Sequence, residues 1–181
     1  MTKLTRRSAI VGTLALSACA SRVTSSRGEI DTRVATALAE LYDTVPGARE
    51  VGAQSAGFLI MPRVNEGSLV YGASYGEGAL IIQGATVDYY SVASASLGFQ
   101  IGAQRYRHAL FFMTPEALAD FRTSDGWELG LDAEYAIPNR GGAASITTST
   151  FNKPIYAVIY GQEGIIVGAS VEGNKYSRIV R

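Results

Sequence analysis

The sequence predicts an α+β fold: a strongly curved or nearly closed antiparallel β-sheet with N-terminal helices and one further short helix. Behind Ser26 and Glu29, apolar residues recur at helical spacing, which indicates one helix with a buried stripe. From Ala56 onward, short runs rich in β-branched and aromatic residues are separated by Gly, Pro or Asn. Glycines also occur inside these runs, where they typically mark sharp bending or close approach of neighbouring backbone, as curved sheets require.

Composition excludes several classes of function. The 181 residues carry 16 Lys+Arg and 16 Asp+Glu, so the chain lacks the basic excess of a nucleic-acid-binding protein. One Cys excludes an internal disulfide framework, and one His excludes a His-rich metal site. Glu128, Asp132 and Glu134 lack the spacing of a calcium loop and are expected to form a solvated strand face. We therefore expect no cofactor, no metal and no nucleic-acid partner.

Residues 1–18 have the features of a secretory signal, with Lys3, Arg6 and Arg7 before a short apolar stretch. The sequence Leu-Ser-Ala-Cys at 16–19 resembles a bacterial lipobox, which implies that the Cys19 thiol receives a lipid before cleavage. An unlipidated signal or a buried thiol is the alternative for Cys19. Residues 5–10 resemble a twin-arginine export signal but depart from it at Ala9, so general secretory export remains an alternative.

This signal predicts a periplasmic protein held on a bacterial membrane by its lipid. No Asp follows Cys19 at the position that resembles an inner-membrane retention signal, which favours the outer membrane. Cleavage would leave a mature chain with a net charge near −3, because the signal contains three basic and no acidic side chains. Such a field does not attract the protein to anionic bilayers, and the anchor would be the lipid.

The mature chain is expected to consist of a small polar tether, residues 19–28, and a single domain, residues 29–181. Ser26 and Glu29 have the spacing of a capping box, and Pro46 is expected to end the first helix and open a second one through about Gln54. Thr114 and Pro115 are typical of the start of a helix. The expected strands are 57–61, 68–75, 78–83, 108–113, 127–137, 155–160, 164–171 and 175–180. Two similar segments, 75–78 and 160–164, are expected to form tight hairpin turns.

The stretch from about residue 48 to 179 resembles a SYLF domain, in segments 56–62, 71–78, 90–102, 111–118 and 164–173. It is most similar to the bacterial lipoprotein branch of that family. The resemblance implies phospholipid or phosphoinositide binding, actin binding in some eukaryotic members, and no catalysis. One departure concerns the first helix, where Arg33 is accompanied by the acidic residues Glu29, Asp31, Glu40 and Asp43 instead of a basic face.

Arg105 and Arg107 are the candidate headgroup-binding residues. Because they are two apart on an expected strand, their side chains would share a face and could fork onto phosphate oxygens. The alternative is a solvent-exposed hairpin rim without a ligand. His108, which follows them, is expected to be a packing or edge residue.

Gly72 to Gly76 spells G-x-S-x-G around Ser74, the nucleophile motif of α/β-hydrolases. That motif requires a strand-to-helix turn, whereas another apolar β-run follows Ser74, and His108 is the only imidazole.

The signal and the family resemblance together predict a non-enzymatic periplasmic lipoprotein that binds phospholipid and acts at the cell envelope. An envelope scaffold that docks a protein partner without a lipid pocket is the alternative, and a serine esterase using Ser74 is a distant third.

Overall fold

A computed structural model of the protein describes residues 25–68, 71–97, 102–129, 133–136, 153–164 and 173–181. The expected signal at 1–18, Cys19 and most of the expected tether lie outside these residues. The helices are α1 (Arg27–Thr44), α2 (Ala48–Gln54) and α3 (Pro115–Thr123). The strands are β1 (Gly57–Ser68), β2 (Tyr71–Ile82), β3 (Ala85–Leu97), β4 (Gly102–Phe112), β5 (Trp127–Glu128), β6 (Ala133–Ala136), β7 (Ile155–Gly164) and β8 (Lys175–Ile179).

The described strands form one sheet in the order β5-β8-β3-β2-β1-β4-β7-β6. Every neighbouring pair is antiparallel except β6 and β7, which are parallel at one edge. The predicted α+β class and the antiparallel sheet are therefore confirmed, with β6 as a short parallel addition.

The sheet is strongly curved, as the glycines within its strands predict. The hydroxyl of Tyr176 on β8 lies 2.8 Å from Nε2 of His108 on β4. These strands are four positions apart in the sheet, and neighbouring strands are about 4.8 Å apart, so a flat sheet would separate them by about 19 Å. The direct contact shows that the sheet curls until its inner face meets itself.

Both faces of the curled sheet are buried. Along β1, Leu59 and Met61 point to the inner face, and Ile60 points to the outer face. Helix α3 and strands β5 and β8 close the inner core, whose aromatic members are Tyr90, Tyr106, Phe112, Phe121, Trp127 and Tyr176. Helices α1 and α2 cover the outer face, with Ile30, Val34, Ala37, Leu41, Val45, Ala48 and Val51.

The helix starts agree with their sequence signals. The Ser26 hydroxyl accepts from the Glu29 N–H at 3.4 Å, and the Glu29 carboxylate accepts from the Ser26 N–H at 2.8 Å, so the capping box is present. Helix α1 consequently begins at Arg27, inside the segment expected to be tether. At α3, Thr114 accepts from the Ala117 N–H at 3.2 Å and Pro115 occupies the first turn.

The two expected hairpin turns do not form. Residues 75–78 lie in the middle of β2, which pairs with β1 and β3 along this stretch. Gly78 serves close backbone packing there, because a Cβ on it would collide with the carbonyl of Ile60. Residues 160–164 likewise belong to β7, paired with β4. These glycines allow bending within strands, so their clustering gave a misleading turn signal.

The expected single strand over 127–137 is also wrong. Trp127–Glu128 pairs with β8 at one edge of the sheet, whereas Ala133–Ala136 pairs with β7 at the opposite edge. Alternation of apolar and polar residues describes which face is buried, and it contains no information about the partner strand. Trp127–Glu128 and Ala133–Ala136 therefore belong to opposite edges of the sheet despite the continuous pattern.

Candidate anion-binding site

A β-bulge in β1 places Arg63 on the outer face of the sheet. Between Met61 and Val64, β1 advances three residues while its partner β4 advances two, so β1 contains one extra residue at Pro62–Arg63. Pro62 has no N–H to give to a ladder and suits such a position. Strict alternation would point Arg63 inward with Leu59 and Met61, and the extra residue reverses this. Arg63 is accordingly exposed.

A second bulge, in β7, holds Arg107 against helix α1. The register between β4 and β7 shifts opposite Arg107, next to Gly161, whose φ of 57° lies in the left-handed region. Nη1 of Arg107 donates to the Gly161 carbonyl at 3.3 Å and pairs with Oε1 of Glu40 on α1 at 3.2 Å. Arg107 is therefore partly neutralised and fixed in place.

Arg105 shares the outer face with Arg107 and is more open to solvent. Its Nε donates to Oδ1 of Asn65 at 3.3 Å, and its Nη1 lies 3.8 Å from Oε2 of Glu163. The side chains of this ion pair are 45% and 63% exposed, so solvent screens it strongly. The fold thus places both sequence-predicted arginines together, and neither is buried in a strong ion pair.

Sequence reasoning missed two further arginines, Arg33 and Arg63, beside the same surface. Together with Arg105 and Arg107 they form what we call the arginine cluster. Arg33 and Arg63 line a depression of about 300 Å³, which we call the arginine pocket; its other lining residues are Ser25, Pro62, Asn65, Tyr75, Gly76 and Glu77. Nη1 of Arg33 donates to the Ser25 hydroxyl at 2.9 Å. Among the described residues, Arg63 has no hydrogen-bond or ion-pair partner.

The arginines of the cluster act electrostatically on one another. Partial burial, followed by the charges of Arg105, Arg33 and Arg107, lowers the pKa of Arg63 below its ordinary value, and the negative charge of Glu163 offsets this only in part. An arginine remains charged at physiological pH despite such a shift, so the cost appears as repulsion between like charges. An anion in the pocket would relieve this repulsion.

A buried carboxylate, Glu77, forms one wall of the arginine pocket. Its oxygens accept from the Ser25 N–H at 3.0 Å and the Tyr75 hydroxyl at 2.9 Å, and it pairs with the guanidinium of Arg181. Burial alone would raise the pKa of Glu77, but these hydrogen bonds and the Arg181 charge outweigh it and lower the pKa. The Glu77 carboxylate thus bonds to Ser25, Tyr75 and Arg181, and it forms no ion pair with Arg33 or Arg63.

A second depression adjoins the arginine pocket along the first turns of α1. It has a volume of about 420 Å³ and is lined by Ser26, Gly28, Glu29, Thr32 and Arg33. Arg33 therefore borders both the arginine pocket and this shallower, more open depression at the start of the described chain. This arrangement gives its guanidinium access to a ligand from either side.

The residues of the hydrolase-like motif are not assembled for nucleophilic catalysis. Ser74 lies within β2, with its Oγ 2.7 Å from Oγ of Ser94, and no strand-to-helix turn follows it. His108 is fully buried, bonds to Tyr176, and has its pKa lowered to about 3 by desolvation. The side chains do not form the nucleophile arrangement that the G-x-S-x-G motif requires.

The acidic strand face has no described metal arrangement. Glu128 is exposed, Asp132 lies outside the described residues, and the side chain of Glu134 is likewise outside them. Over the parts of the chain that the structure describes, no group of three or more His, Cys, Asp or Glu could hold a metal ion. Among the same parts, no helix has the length and apolarity to span a membrane.

Comparison with known proteins gives one family match. Residues 93–179, just under half of the chain, match the family model described as Ysc84, Las17-binding protein actin regulator. The match runs from the second half of β3 to the end of β8, so it includes Arg105 and Arg107 but not Arg33 or Arg63. No curated protein matches the chain.

Proposed function

Since residues 93–179 match the SYLF (Ysc84) domain model, we propose that this chain is a non-enzymatic, phospholipid-binding lipoprotein of the bacterial periplasm that belongs to the SYLF-domain family. The family is associated with lipid or actin-associated binding. In this proposal the arginine pocket receives the phosphate of a lipid headgroup, and Cys19 carries the lipid that anchors the chain, preferentially to the outer membrane.

The observation that carries the proposal is the charge of Arg63, which lines the arginine pocket and has no hydrogen-bond or ion-pair partner among the described residues. Three other arginines lie close enough to affect its pKa, while the nearby Glu77 is occupied by Ser25, Tyr75 and Arg181. Guanidinium groups bind phosphate oxygens through paired hydrogen bonds, and such charge-assisted bonds are stronger than neutral ones. The pocket therefore has the chemistry of a phosphate site.

The site's other arginines have a supporting role. Arg107 is held by Glu40 and Gly161, and Arg105 is screened by solvent beside Glu163. Their charges raise the local positive potential, while Arg33 and Arg63 are available for direct contact. The headgroup contact that the sequence predicted for Arg105 and Arg107 is therefore centred, in this proposal, on two residues outside the predicted pair.

Vesicle flotation tests this function. Unlipidated mature chain, residues 19–181 with Cys19→Ser, is mixed with phosphatidylcholine vesicles with or without phosphatidylglycerol. We expect binding only to the anionic vesicles, and loss of most of it in the double variant Arg33→Gln/Arg63→Gln. The matched control is Arg49→Gln/Arg178→Gln, which removes the same charge from exposed positions outside the pocket. Equal binding by the two double variants would refute a pocket-based lipid site.

A protein-docking scaffold is the second candidate, because the matched family is described as Las17-binding. A scaffold of this kind predicts that the unlipidated chain binds neither kind of vesicle, and that the arginine variants likewise show no vesicle binding. The same flotation experiment therefore separates the two candidates.

A further inference from the structure

The start of the described chain forms part of the arginine pocket. Ser25 gives its N–H to the buried Glu77 carboxylate and accepts from Arg33 through its hydroxyl. One residue later, the capping box of Ser26 and Glu29 fixes the entry into α1. The chain therefore emerges from the folded domain at the rim of the pocket.

Only a short segment separates this rim from the predicted lipid. Cys19 precedes Ser25 by six residues, and a fully extended chain covers about 3.3–3.6 Å per residue, so the span is at most about 22 Å. A small domain has a diameter of roughly 30 Å. The face that carries Ser25 must consequently stay close to the membrane, whereas the opposite face, covered by α3, is directed away from it.

We propose that the arginine pocket binds the headgroup phosphates of the same membrane leaflet that holds Cys19, so that the outer face beside the start of α1 docks onto its own anchoring bilayer. This inference rests on the proposed function and adds the orientation of the domain on the membrane. Arg33, which borders two depressions, and Arg63, which has no ion-pair partner among the described residues, supply the positive surface for this leaflet.

The tether makes a weak site sufficient. When two binding elements are joined, the second contact becomes intramolecular and experiences an effective concentration in the millimolar range for short flexible linkers. The mature chain has a net charge near −3, so its overall field does not favour an anionic surface, and docking depends on the local arginines and on the short tether. Lengthening the tether should therefore weaken docking without altering the pocket.

Depth-dependent quenching on vesicles tests this orientation. The lipidated protein is reconstituted into phosphatidylglycerol-containing vesicles with headgroup spin-labelled lipid, and a fluorophore is placed at Thr32→Cys or, as the matched control, at Ala119→Cys. Both positions are exposed, with Thr32 on α1 beside Arg33 and Ala119 on α3 at the other face. We expect strong quenching at position 32 and weak quenching at position 119.

Two changes to the protein should reduce the difference in quenching between positions 32 and 119. Insertion of about 20 Gly/Ser residues between Val23 and Thr24 should lower the effective concentration, and hence docking, by about ninefold, following the −3/2 power of linker length. The variant Arg33→Gln/Arg63→Gln should reduce quenching at position 32 with the short tether retained.

The outcomes separate this inference from the proposed function. Equal quenching at positions 32 and 119 would overturn docking onto the anchoring membrane. Quenching at position 32 that stays unchanged after the linker insertion would overturn it as well. If the unlipidated chain nevertheless binds anionic vesicles through Arg33 and Arg63, the proposed function stands and the orientation alone is wrong. Quenching that depends on both the linker and the arginines supports the inference.

Discussion

Acid should destabilise this protein through His108, its only histidine. The imidazole is fully buried, with Nε2 2.8 Å from the Tyr176 hydroxyl and Nδ1 without a partner among the described residues. Burial lowers the pKa of His108 from 6.5 to about 3, so the folded protein keeps it neutral where the unfolded chain takes up a proton. The free energy of unfolding is therefore fully retained above pH 6.5 and is lost as the pH falls from 6.5 towards 3.

The expected loss follows from linkage. Each pH unit inside this window costs about 1.4 kcal/mol, so the protein at pH 4.5 should be about 2.5 kcal/mol less stable than at pH 7. The carboxyls of Glu29 and Glu77 have lowered pKa values in the folded protein, and their contribution is lost mainly below about pH 4.5. The interval from pH 6.5 to 4.5 consequently reports chiefly on His108.

Urea unfolding followed by tryptophan fluorescence measures this effect. Trp127, the only tryptophan, is buried in the inner core with its ring 5.2 Å from that of Phe121, so its emission should change when that core opens. The comparison is His108→Gln, which retains hydrogen-bonding groups towards Tyr176 but cannot titrate. Its stability should vary little between pH 6.5 and 4.5. A slope as steep as that of the unsubstituted chain would refute the role of the buried imidazole.

Three further substitutions, one of them with a matched control, test the inner core, the bulge beside Arg107 and the start of α1. Phe121→Ala removes a ring that touches four aromatic neighbours, and it should cost about 3–5 kcal/mol in urea unfolding, with a loss under about 1 kcal/mol contradicting the inner core. Gly161→Ala forces a Cβ to 2.9 Å from Oε1 of Glu40 at a positive φ, and it should lower the melting temperature by the equivalent of about 1–2 kcal/mol. Ser26→Ala should cost about 1 kcal/mol, whereas Ser124→Ala, with no side-chain capping bond, should be nearly neutral in the same measurement.

Local features were predictable wherever neighbouring residues decide the structure. The capping box of Ser26 and Glu29 and the helix start at Thr114 and Pro115 involve groups within three residues of each other. Their hydrogen bonds satisfy helix N–H groups that would otherwise lack partners, and this requirement is independent of the rest of the fold. The shared face of Arg105 and Arg107 follows in the same way from strand alternation.

The arginine cluster was only half predictable for a different reason. Arg33 lies on a helix and Arg63 beside a bulge, and nothing in the linear sequence connects either with Arg105 or Arg107. The bulge exists because β1 carries one more residue than β4 over the same length, a property of the paired strands that β1 does not possess by itself. Residue type and strand alternation therefore identified Arg105 and Arg107, whereas the packing of α1 placed Arg33, and strand register placed Arg63, beside them.

The amino-acid order alone determined the α+β class, the capping signals at Ser26 and Thr114 and the alternation of strand faces. The secretory signal at residues 1–18 stays a prediction. The tertiary structure decided which glycines bend strands instead of making turns, how 127–136 divides between opposite sheet edges, and how Tyr176 reaches His108. The physical reason is that a local pattern specifies which side of an element is buried, whereas partner choice depends on the closure of the whole sheet. The pairing of β1 with β4 and the packing of α1 on the outer face bring four arginines from three elements to one surface.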